Sequence, residues 1–392
     1  MNFKNKLKRN IRLLSLFNIF YNFRFYSVLA VIYFAQITHS YSLAASIFAI
    51  VQISQAIFEI PTGYISDKHG RSLSLKLGAF SNLLSIILYA FSKNYLFLIF
   101  AAILEGLNRA FFSGNNNALV YETLSSLKEK NNYHYEFGKI NSWLELAGFI
   151  SCVLGGFIAF KSLSLLFVLS VIPQFIASLI SLGFVEPKRN KYKITSFSLH
   201  IKESLKTLRK SIKLKYLSIA EILGFAVGES TWSLQSIFYN LFLPISVTNW
   251  IMSLNFLTST ISFRLSGKII SKFKAIKVLL YQEIYGRLLY LIALIFPSII
   301  SPFIIATASI TYGPSTVAHN TLLQKELTNR QRATFSSINS FIGSCLYAPM
   351  AIFIGYLADN FGITKAMLFG QICLLPIIFI YYQLSRQKSF SN

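Results

Sequence analysis

Long apolar stretches alternate with short polar ones along the whole chain, and this alternation predicts helices that cross a membrane. Each apolar stretch approaches the length of about 20 residues that a helix needs to span the hydrocarbon core of a bilayer. The twelve predicted segments lie at residues 12–36, 44–65, 73–92, 95–119, 139–160, 163–186, 215–242, 247–267, 276–296, 299–320, 333–356 and 363–384. Pro314 falls inside the tenth segment and predicts a kink there. The pattern therefore predicts an all-α polytopic membrane protein with twelve transmembrane helices.

The longest polar stretch of the chain divides these segments into two groups of six. We expect an N-terminal six-helix half at residues 1–187, a cytoplasmic linker at 188–214 and a C-terminal six-helix half at 215–392. Apolar residues recur at helical spacing from Ile201 to Ile212, with lysines and arginines beside them. This stripe favours an amphipathic surface helix on the inner leaflet, although a solvated linker fits the same residues.

Composition and the placement of charge exclude several classes of function. Of the 392 residues, 54% are hydrophobic and only 13% are charged, which is too apolar for a soluble domain of this length. The net charge of +23 comes from lysines and arginines in short loops, so no basic face is available to nucleic acid. We therefore expect no nucleic-acid partner.

The same cations predict the orientation of the chain. With the N-terminus in the cytoplasm, 30 of the 37 Lys and Arg residues fall in cytoplasmic segments and 3 fall in outside loops. Cytoplasmic loops of membrane proteins carry such an excess of Lys and Arg. We expect both termini in the cytoplasm and a multi-pass protein of the inner (cytoplasmic) cell membrane.

Residues that could bind a metal or catalyse a reaction form no cluster in the sequence. The three cysteines, Cys152, Cys345 and Cys373, lie inside apolar segments, and the five histidines are scattered. Neither a metal-ligand spacing nor an ATP-binding loop is found, so we expect no metal and no other cofactor. An integral-membrane enzyme would need paired histidines or carboxylates at a membrane face, and the sequence favours a protein that is not an enzyme.

The stretch from Phe58 to Lys76 joins two apolar segments and carries a motif, Gly63-x-x-x-Asp67-x-x-Gly70-Arg71. Gly63 allows a neighbouring helix to approach closely, and Gly70 permits the positive φ of a sharp reversal. Asp67 can accept hydrogen bonds from the N-terminal amides of a facing helix, and Arg71 has a fork that suits a carboxylate. These residue types indicate a tight, polar turn between two helices.

Together with Glu59-x-Pro61-Thr62 in front of it, the motif resembles the loop 2–3 signature of the major facilitator superfamily of transporters. Ser72 departs from the family pattern, which usually has a second basic residue there. Softer resemblance lies at residues 113–118 and at Arg332-Ala333-Thr334. The resemblance implies two six-helix halves that hold the substrate near the membrane midplane.

Charged residues inside apolar segments need a partner or a water-filled cavity, because each costs about 3 kcal/mol at a helix centre. Glu105 and Arg109 are four residues apart on the fourth predicted helix and can pair with each other. The resemblance implies that this helix lines the cavity, so a binding role and a structural role both stay open. Glu283 and Arg287 pair in the same way on the ninth helix, whose peripheral place in the family favours a structural role.

Arg24, Glu221 and Glu229 have no such partner on their own helices. The resemblance places Arg24 and Glu229 near the centres of the first and seventh helices, which line the cavity from opposite halves, and Glu221 nearer the cytoplasmic mouth. Trp232 either stacks on a flat substrate or fills the core. The predicted substrate and proton-coupling residues are Arg24, Glu105, Arg109, Glu221, Glu229, Trp232 and Gln235.

A second set of residues is predicted to control the conformation. Because helices five and eight touch across the two halves in this family, the resemblance implies an ion pair between Glu145 and Arg264. Asp67 and Arg71 would lock the cytoplasmic side against the start of helix eleven, with Arg332 a partner for Asp67. The predicted gating residues are Glu59, Gly63, Asp67, Gly70, Arg71, Glu145, Arg264 and Arg332.

The expected function is secondary active transport of a small organic solute by alternating access, as proton-coupled efflux. The expected partners are this solute, H⁺ and the lipid bilayer, and the protein is expected to act as a monomer. Glu229 would carry the proton, and Arg24 would be its partner or the anchor of an anionic substrate; a permanent Arg24–Glu229 strut is the alternative. Proton-coupled uptake, a sensor that does not transport and a membrane enzyme are the other functions that remain open.

Overall fold

The computed structural model describes residues 3–113, 115–129, 133–187, 211–326 and 329–386, and all regular structure in these residues is helical. The first part of the chain forms α1 (Phe3–Asn22), α2 (Ala30–Thr38), α3 (Tyr41–His69), α4 (Arg71–Ala90), α5 (Tyr95–Phe112), α6 (Asn115–Ser126), α7 (Tyr133–Ala159) and α8 (Leu163–Leu182). The second part forms α9 (Ile212–Leu223), α10 (Ser230–Ser233), α11 (Gln235–Asn240), α12 (Ile245–Phe273), α13 (Ala275–Ile295), α14 (Ser301–Thr307), α15 (Tyr312–Glu326), α16 (Asn329–Phe361) and α17 (Ile363–Arg386).

Each of the predicted apolar segments carries one or more of these helices. Within the described residues, 7 helices are long and apolar enough to cross a membrane. They lie at Tyr41–Glu59, Arg71–Ala90, Tyr95–Ser126 (which covers both α5 and α6), Leu163–Leu182, Ala275–Ile295, Ile338–Phe361 and Ile363–Arg386. The chain is thus an all-helical membrane protein, while the count of twelve spans and the cytoplasmic termini stay predictions. The amphipathic linker helix falls on residues 188–210, which lie outside the described part of the chain.

Four of the predicted segments contain a break instead of one continuous helix. The first is interrupted between α1 and α2, and the fourth between α5 and α6. The seventh contains a π-helical turn at Gly224–Glu229, and the tenth contains a 3₁₀ turn at Ala308–Thr311. The 3₁₀ turn lies just before Pro314, whose ring crowds the turn that precedes it, while the kink itself stays a prediction. Irregular backbone is tolerated at membrane depth only where protein or water satisfies it, so these breaks mark places to look for function.

The helices cluster into two compact units. Unit 1 consists of Met1–His39, Ile50–Lys191 and Pro244–Phe256, and unit 2 of Ser40–Ala49, Tyr192–Leu243 and Leu257–Asn392. Two helices are therefore divided between the units: α3 begins in unit 2, and α12 begins in unit 1. The domain boundaries expected from the sequence, at residues 187 and 215, stay a prediction.

Aromatic packing fixes the end of α1 in unit 1. The Tyr21 and Phe112 rings stack with centroids 4.6 Å apart, and Phe17 meets Phe184 edge to face at 5.4 Å. Such ring pairs add about 0.5–1.5 kcal/mol each beyond the area they bury. The contacts hold α1 against α5 and the end of α8, and so position the break that follows α1.

In unit 2, small residues allow the π-helical turn to pack closely. Ala226 in this turn lies in a buried cluster with Ala45 at the start of α3 and with Tyr347 and Ala351 on α16. The ring of Phe225 contacts that of Tyr347 at 5.8 Å. The irregular turn is therefore supported by neighbouring helices.

Candidate functional site

The break after α1 is stabilised by polar side chains from α8. The Gln174 side-chain amide donates to the carbonyl oxygens of Phe20, Tyr21 and Phe23 at 3.1, 3.2 and 3.3 Å. The backbone N–H of Phe25 donates to the Ser170 hydroxyl at 3.0 Å. These side chains supply the partners that a continuous helix would have provided, which a break inside a membrane requires.

Arg24 lies in this break. Its Nε donates to the carbonyl of Tyr21 at 3.2 Å, its Nη2 donates to Asn82 Oδ1 at 3.3 Å, and its guanidinium lies 4.8 Å from the centre of the Tyr21 ring. Its Nη1 is 3.9 Å from a carboxylate oxygen of Glu105 on α5. Because only 14% of the Arg24 side chain is exposed, these neighbours fix the guanidinium in place.

The carboxylate of Glu105 is shared between two arginines. Arg109 donates to it through Nη2 at 2.7 Å and through Nε at 3.2 Å, which confirms the predicted pair on α5. The Tyr89 hydroxyl donates to the other carboxylate oxygen at 3.1 Å. Of the acidic side chains described in unit 1, Glu105 is the one with a carboxylate oxygen within 4 Å of both guanidiniums. The described cluster therefore has two positive charges and one negative charge.

Amide side chains connect this cluster to the break. Asn82 donates to Gln174 Oε1 at 2.7 Å, and Asn108 donates to Asn82 Oδ1 at 3.2 Å and to the Tyr21 hydroxyl at 2.8 Å. The Asn108 Oδ1 is buried and has no hydrogen-bond partner among the described residues. These three amides were not predicted from the sequence, although each is a polar residue inside an apolar segment.

In unit 2, the predicted residues of the seventh segment lie around the π-helical turn. Glu229 ends this turn, is exposed, and interacts electrostatically with Tyr290 on α13. Glu221 on α9 is exposed and accepts a hydrogen bond of 2.6 Å from Asn339. Trp232 on α10 is 41% exposed, so the core-filling alternative does not describe it. A π-helical turn, which inserts a residue into an α-helix, is often found at a functional site.

Gln235 is held by two tyrosines. Its amide nitrogen donates to the Tyr239 hydroxyl at 2.5 Å, and its oxygen accepts from the Tyr290 hydroxyl at 3.1 Å. The side chain is buried, with 1% of the residue exposed. Both ends of the amide are therefore engaged, and the geometry favours a role in positioning α11 against α13 over direct contact with a substrate.

The charged pair on α13 has structural partners. Arg287 donates to Glu283 at 3.1 Å and also to the side-chain oxygen of Gln371 on α17. Glu283 is buried, with 8% exposed. These contacts tie α13 to α17 and agree with the structural role expected from the sequence.

The loop between α3 and α4 has the sharp reversal that Gly70 predicts, with φ of 113° at this residue. The carboxylate of Glu186 accepts from the backbone N–H groups of Arg71 at 3.0 Å and Ser72 at 2.8 Å, and so caps the start of α4. A Cβ atom on residue 70 would lie 2.5 Å from the Glu186 carboxyl carbon. Glycine is therefore needed at residue 70 for its positive φ and for its lack of a side chain. The contact between Glu186 and the motif was not predicted from the sequence.

The Arg71 side chain contacts a hydroxyl group of α3 and amide and carboxylate groups of α6. It donates to the Ser66 hydroxyl at 2.6 Å and to Asn115 Oδ1 at 3.1 Å, and its Nε lies 3.5 Å from Glu122. The predicted contact of the fork with a carboxylate is thus present. Arg71 joins the end of α3 to α6 inside unit 1.

The structure describes the surroundings of some of the other predicted gating residues and not of others. Glu59 is half-buried and interacts with the Ser113 side chain. A Cβ atom on Gly63 would meet no described atom within 4 Å, so the close helix contact expected there is not found in the described part of the chain. The side chains of Asp67 and Arg332 lie outside the described residues, and their contact stays a prediction.

Glu145 and Arg264 belong to different units. Glu145 on α7 is half-buried, and Arg264 on α12 is exposed. Their pairing, like that of Arg24 with Glu229, stays a prediction. In unit 1 the carboxylate beside Arg24 is that of Glu105, a partner that the sequence analysis did not assign to it.

Comparison with known proteins identifies the architecture. A family model described as Major Facilitator Superfamily matches residues 13–346. A mutant of the nucleoside transporter NupG is similar in structure, with a TM-score of 0.81 and 13% identity over 96% of this chain and 99% of that one. A bacterial homologue of the human lysosomal transporter Spinster, in an inward-facing and unoccupied conformation, gives 0.79 and 16% over 100% and 98% of the two chains.

The fucose:proton symporter FucP of E. coli is also similar, with a TM-score of 0.62 and 16% identity over 97% of this chain and 98% of that one. No curated protein sequence matches the chain. At sequence identities this low, structural similarity shows that the proteins share a fold.

Proposed function

Because the family model matches residues 13–346, the chain belongs to the major facilitator superfamily, and we propose that it exports a small organic solute in exchange for protons. The family indicates a multi-pass transporter rather than an enzyme. Alternating access, in which one central site opens to each side in turn, is the proposed mechanism. In this proposal the protein acts as a monomer in the inner membrane, with the solute and H⁺ as its partners.

The cluster of Arg24, Glu105 and Arg109 is the observation that carries the proposal. Three charged side chains inside apolar segments are costly, and a structural role alone would need only a balanced pair. Here a balanced pair on α5 is joined by a third charge that sits in a break of the first segment. Breaks of this kind build the substrate and ion sites of many transporters.

The charge of this cluster supports an anionic group on the solute. Two guanidiniums share one carboxylate, which leaves one positive charge without an ion-pair counterpart among the described residues of unit 1. A carboxylate or phosphate group of the solute would supply it, and guanidiniums bind both groups with paired hydrogen bonds. Arg109, 36% exposed, is the more open of the two, against 14% for Arg24. We assign Arg109 the first contact with the solute.

Glu229 is the proposed proton carrier. It ends the π-helical turn of the seventh segment, as Arg24 sits in the break of the first, and it is exposed. A carboxylate that can change its protonation state in a membrane protein couples proton movement to transport. Glu221, Trp232 and the cytoplasmic residues Asp67, Arg71 and Arg332 are proposed to line the path and to control its opening.

Efflux is distinguished from proton-coupled uptake by the direction of the gradient that drives transport. In everted membrane vesicles, an exporter accumulates the solute when the interior is acidified. An uptake symporter would accumulate the solute in right-side-out vesicles when the exterior is acidified. A non-transporting sensor would accumulate it in neither preparation.

The proposed solute class is tested first on the purified protein. Thermal shift is measured with matched pairs of organic acids and their amides, such as benzoate with benzamide and nicotinate with nicotinamide. We expect acids to raise the Tm while their amides do not, and the same acids to drive counterflow in proteoliposomes. Stabilisation by the amides and by none of the acids would contradict the proposal.

A matched pair of arginine variants tests the residue. Arg109→Gln should abolish the stabilisation by the acids and the counterflow. Arg386→Gln should preserve both, because Arg386 lies at the end of α17 with its guanidinium 4.8 Å from the Tyr382 ring centre. Retained acid binding in Arg109→Gln would remove this residue from the site.

A further inference from the structure

The motif between α3 and α4 has a second copy at the end of α16. Gly63-Tyr-Ile-Ser-Asp67-Lys-His-Gly70 and Gly355-Tyr-Leu-Ala-Asp359-Asn-Phe-Gly362 share Gly-Tyr-x-x-Asp-x-x-Gly at the same spacing. The closing glycine has a positive φ in both copies, 113° at Gly70 and 88° at Gly362. In both, the next helix begins at the residue after that glycine, α4 in the first copy and α17 in the second. The two loops are built in the same way.

The second copy shows what its carboxylate does. Asp359 Oδ1 accepts from the backbone N–H of Tyr41 at 2.6 Å, and Oδ2 accepts from the N–H of Ser42 at 2.9 Å and from the Ser40 hydroxyl at 2.8 Å. These groups form the start of α3, and all of them belong to unit 2. The first N–H groups of a helix have no partner within it and attract anions. The first turn of α3 has no acidic residue of its own, so Asp359 supplies the negative charge from another helix.

The helix that carries Asp359 is shaped to receive the start of α3. A Cβ atom on Gly355 would lie 2.7 Å from the Ser42 Cα and 2.9 Å from the Tyr41 carbonyl oxygen. One turn earlier, the Ser42 hydroxyl donates to the carbonyl of Ile352 at 3.4 Å. Gly355 thus provides space on α16 for the start of α3, and Asp359 provides the negative charge that binds it.

The helix bound by Gly355 and Asp359 is α3, which is one of the two helices divided between the units. Residues up to Ala49 of α3 belong to unit 2, and Ile50 and the residues after it belong to unit 1. The other end of α3 carries Asp67 and the first copy of the motif. The distribution of lysines and arginines predicts that the loop with Asp67 is cytoplasmic and that the loop after Asp359 is outside. One copy of the motif therefore lies at the predicted cytoplasmic end of α3. The other copy contacts the opposite end of α3 through Asp359.

We propose that Asp359 is a gating residue whose carboxylate holds the start of α3 in one conformation of the transport cycle and releases it in the other. The inference rests on the proposed transport function, because only a protein that changes conformation needs such a contact to break. The contact suits this task, since three hydrogen bonds between an exposed carboxylate and the start of a helix can break without unfolding either helix.

The test compares Asp359→Ala with Asn360→Ala in the purified full-length protein. Asn360 is exposed and donates within its own helix, to the carbonyl of Tyr356 at 2.9 Å, so it serves as the matched control. Hydrogen exchange reports the amides of Tyr41 and Ser42, and we expect about tenfold faster exchange in Asp359→Ala because their acceptor is lost. Asn360→Ala should exchange like the unchanged protein.

A second measurement separates gating from simple capping. Ala45 is buried against Tyr347 and Ala351 of α16, and Ala45→Cys is introduced after the three native cysteines are replaced by serine. If Asp359 holds a gate, a maleimide labels this cysteine faster in Asp359→Ala than in Asn360→Ala. A purely structural cap would lower the Tm of Asp359→Ala and leave the labelling rate unchanged, and that result would overturn the proposal.

The milder variant Asp359→Asn is measured in parallel, since it keeps the shape of the side chain and loses its charge. Its labelling rate should fall between those of Asp359→Ala and the unchanged protein, and a rate equal to that of the unchanged protein would count against the gate. Neither measurement needs a substrate, so failure of the gate and failure of the transport function give different results. Faster labelling in Asp359→Ala, in a protein that shows no counterflow, would support the gate and count against the proposed transport function.

Discussion

The guanidinium of Arg24 lies 3.9 Å from the carboxylate of Glu105, which Arg109 holds at 2.7 Å. The three residues come from a helix break and from one face of α5, so the cluster depends on both. Because the carboxylate neutralises only one of the two arginines, its removal would leave two like charges close together in a largely buried place. This relationship gives the first prediction.

Glu105→Gln should lower the free energy of unfolding by about 3 kcal/mol, the lower end of the range for breaking a buried ion pair. Tyr89→Phe removes only the hydroxyl that donates to the same carboxylate, and should cost about 1 kcal/mol. Both values are measured by denaturant unfolding in detergent. Equal stability of the two variants would show that the charges are not coupled as the distances indicate.

Gln174→Leu should destabilise the break after α1. The substitution preserves much of the side-chain volume and leaves three backbone carbonyls without the donor that now reaches them. A loss of about 2 kcal/mol or more is expected, since unsatisfied buried polar groups cost about 1–3 kcal/mol each. Gln282→Leu is the control, because Gln282 is half-buried and makes no hydrogen bond among the described residues. Comparable losses in both variants would refute the role of Gln174.

Gly70→Ala should cost more stability than Gly362→Ala. Both glycines have a positive φ, and Gly70, at φ 113° and ψ 154°, has a backbone conformation that costs other residues about 1–3 kcal/mol. A Cβ atom at Gly70 would also strike Glu186, whereas one at Gly362 meets no described atom within 4 Å. The contact with Glu186 contributes to the difference between the two variants, which should therefore shrink when Glu186→Ala is added. A difference that persists in that background would mean that Glu186 is not the cause.

A charge exchange tests the predicted pair of Glu145 and Arg264. Each single variant, Glu145→Arg or Arg264→Glu, should slow transport in counterflow assays, because it places like charges at the predicted contact. The double variant restores opposite charges and should recover part of the rate. If the double variant is no faster than the slower single one, the two residues do not pair.

The sequence predicted the features that depend on local chemistry. The apolar pattern located the helices, and the glycine at position 70 predicted the sharp reversal. The pairing of Glu105 with Arg109 followed from their spacing on one helix. Each of these features is decided by residues close together in the chain, which is why the pattern was sufficient.

The features that depend on contacts between helices were missed. The break after α1 is stabilised by Gln174 and Ser170, about 150 residues further along, and no local signal at residues 23–29 announces it. The proximity of Glu105 to Arg24 was not predicted, because the rotation of the first helix relative to the fourth cannot be read from spacing. The second motif at Asp359, in contrast, was readable from the sequence, since it repeats the spacing of the first copy.

Glu229→Gln tests whether transport is coupled to protons. Glu326→Gln is the control, because Glu326 lies at the end of α15 and pairs with Lys213 at 3.7 Å. Both variants are reconstituted in proteoliposomes, and accumulation driven by a pH gradient is compared with exchange of labelled for unlabelled solute. The account predicts that Glu229→Gln loses gradient-driven accumulation and retains exchange, while Glu326→Gln retains both. Full accumulation by Glu229→Gln would contradict it.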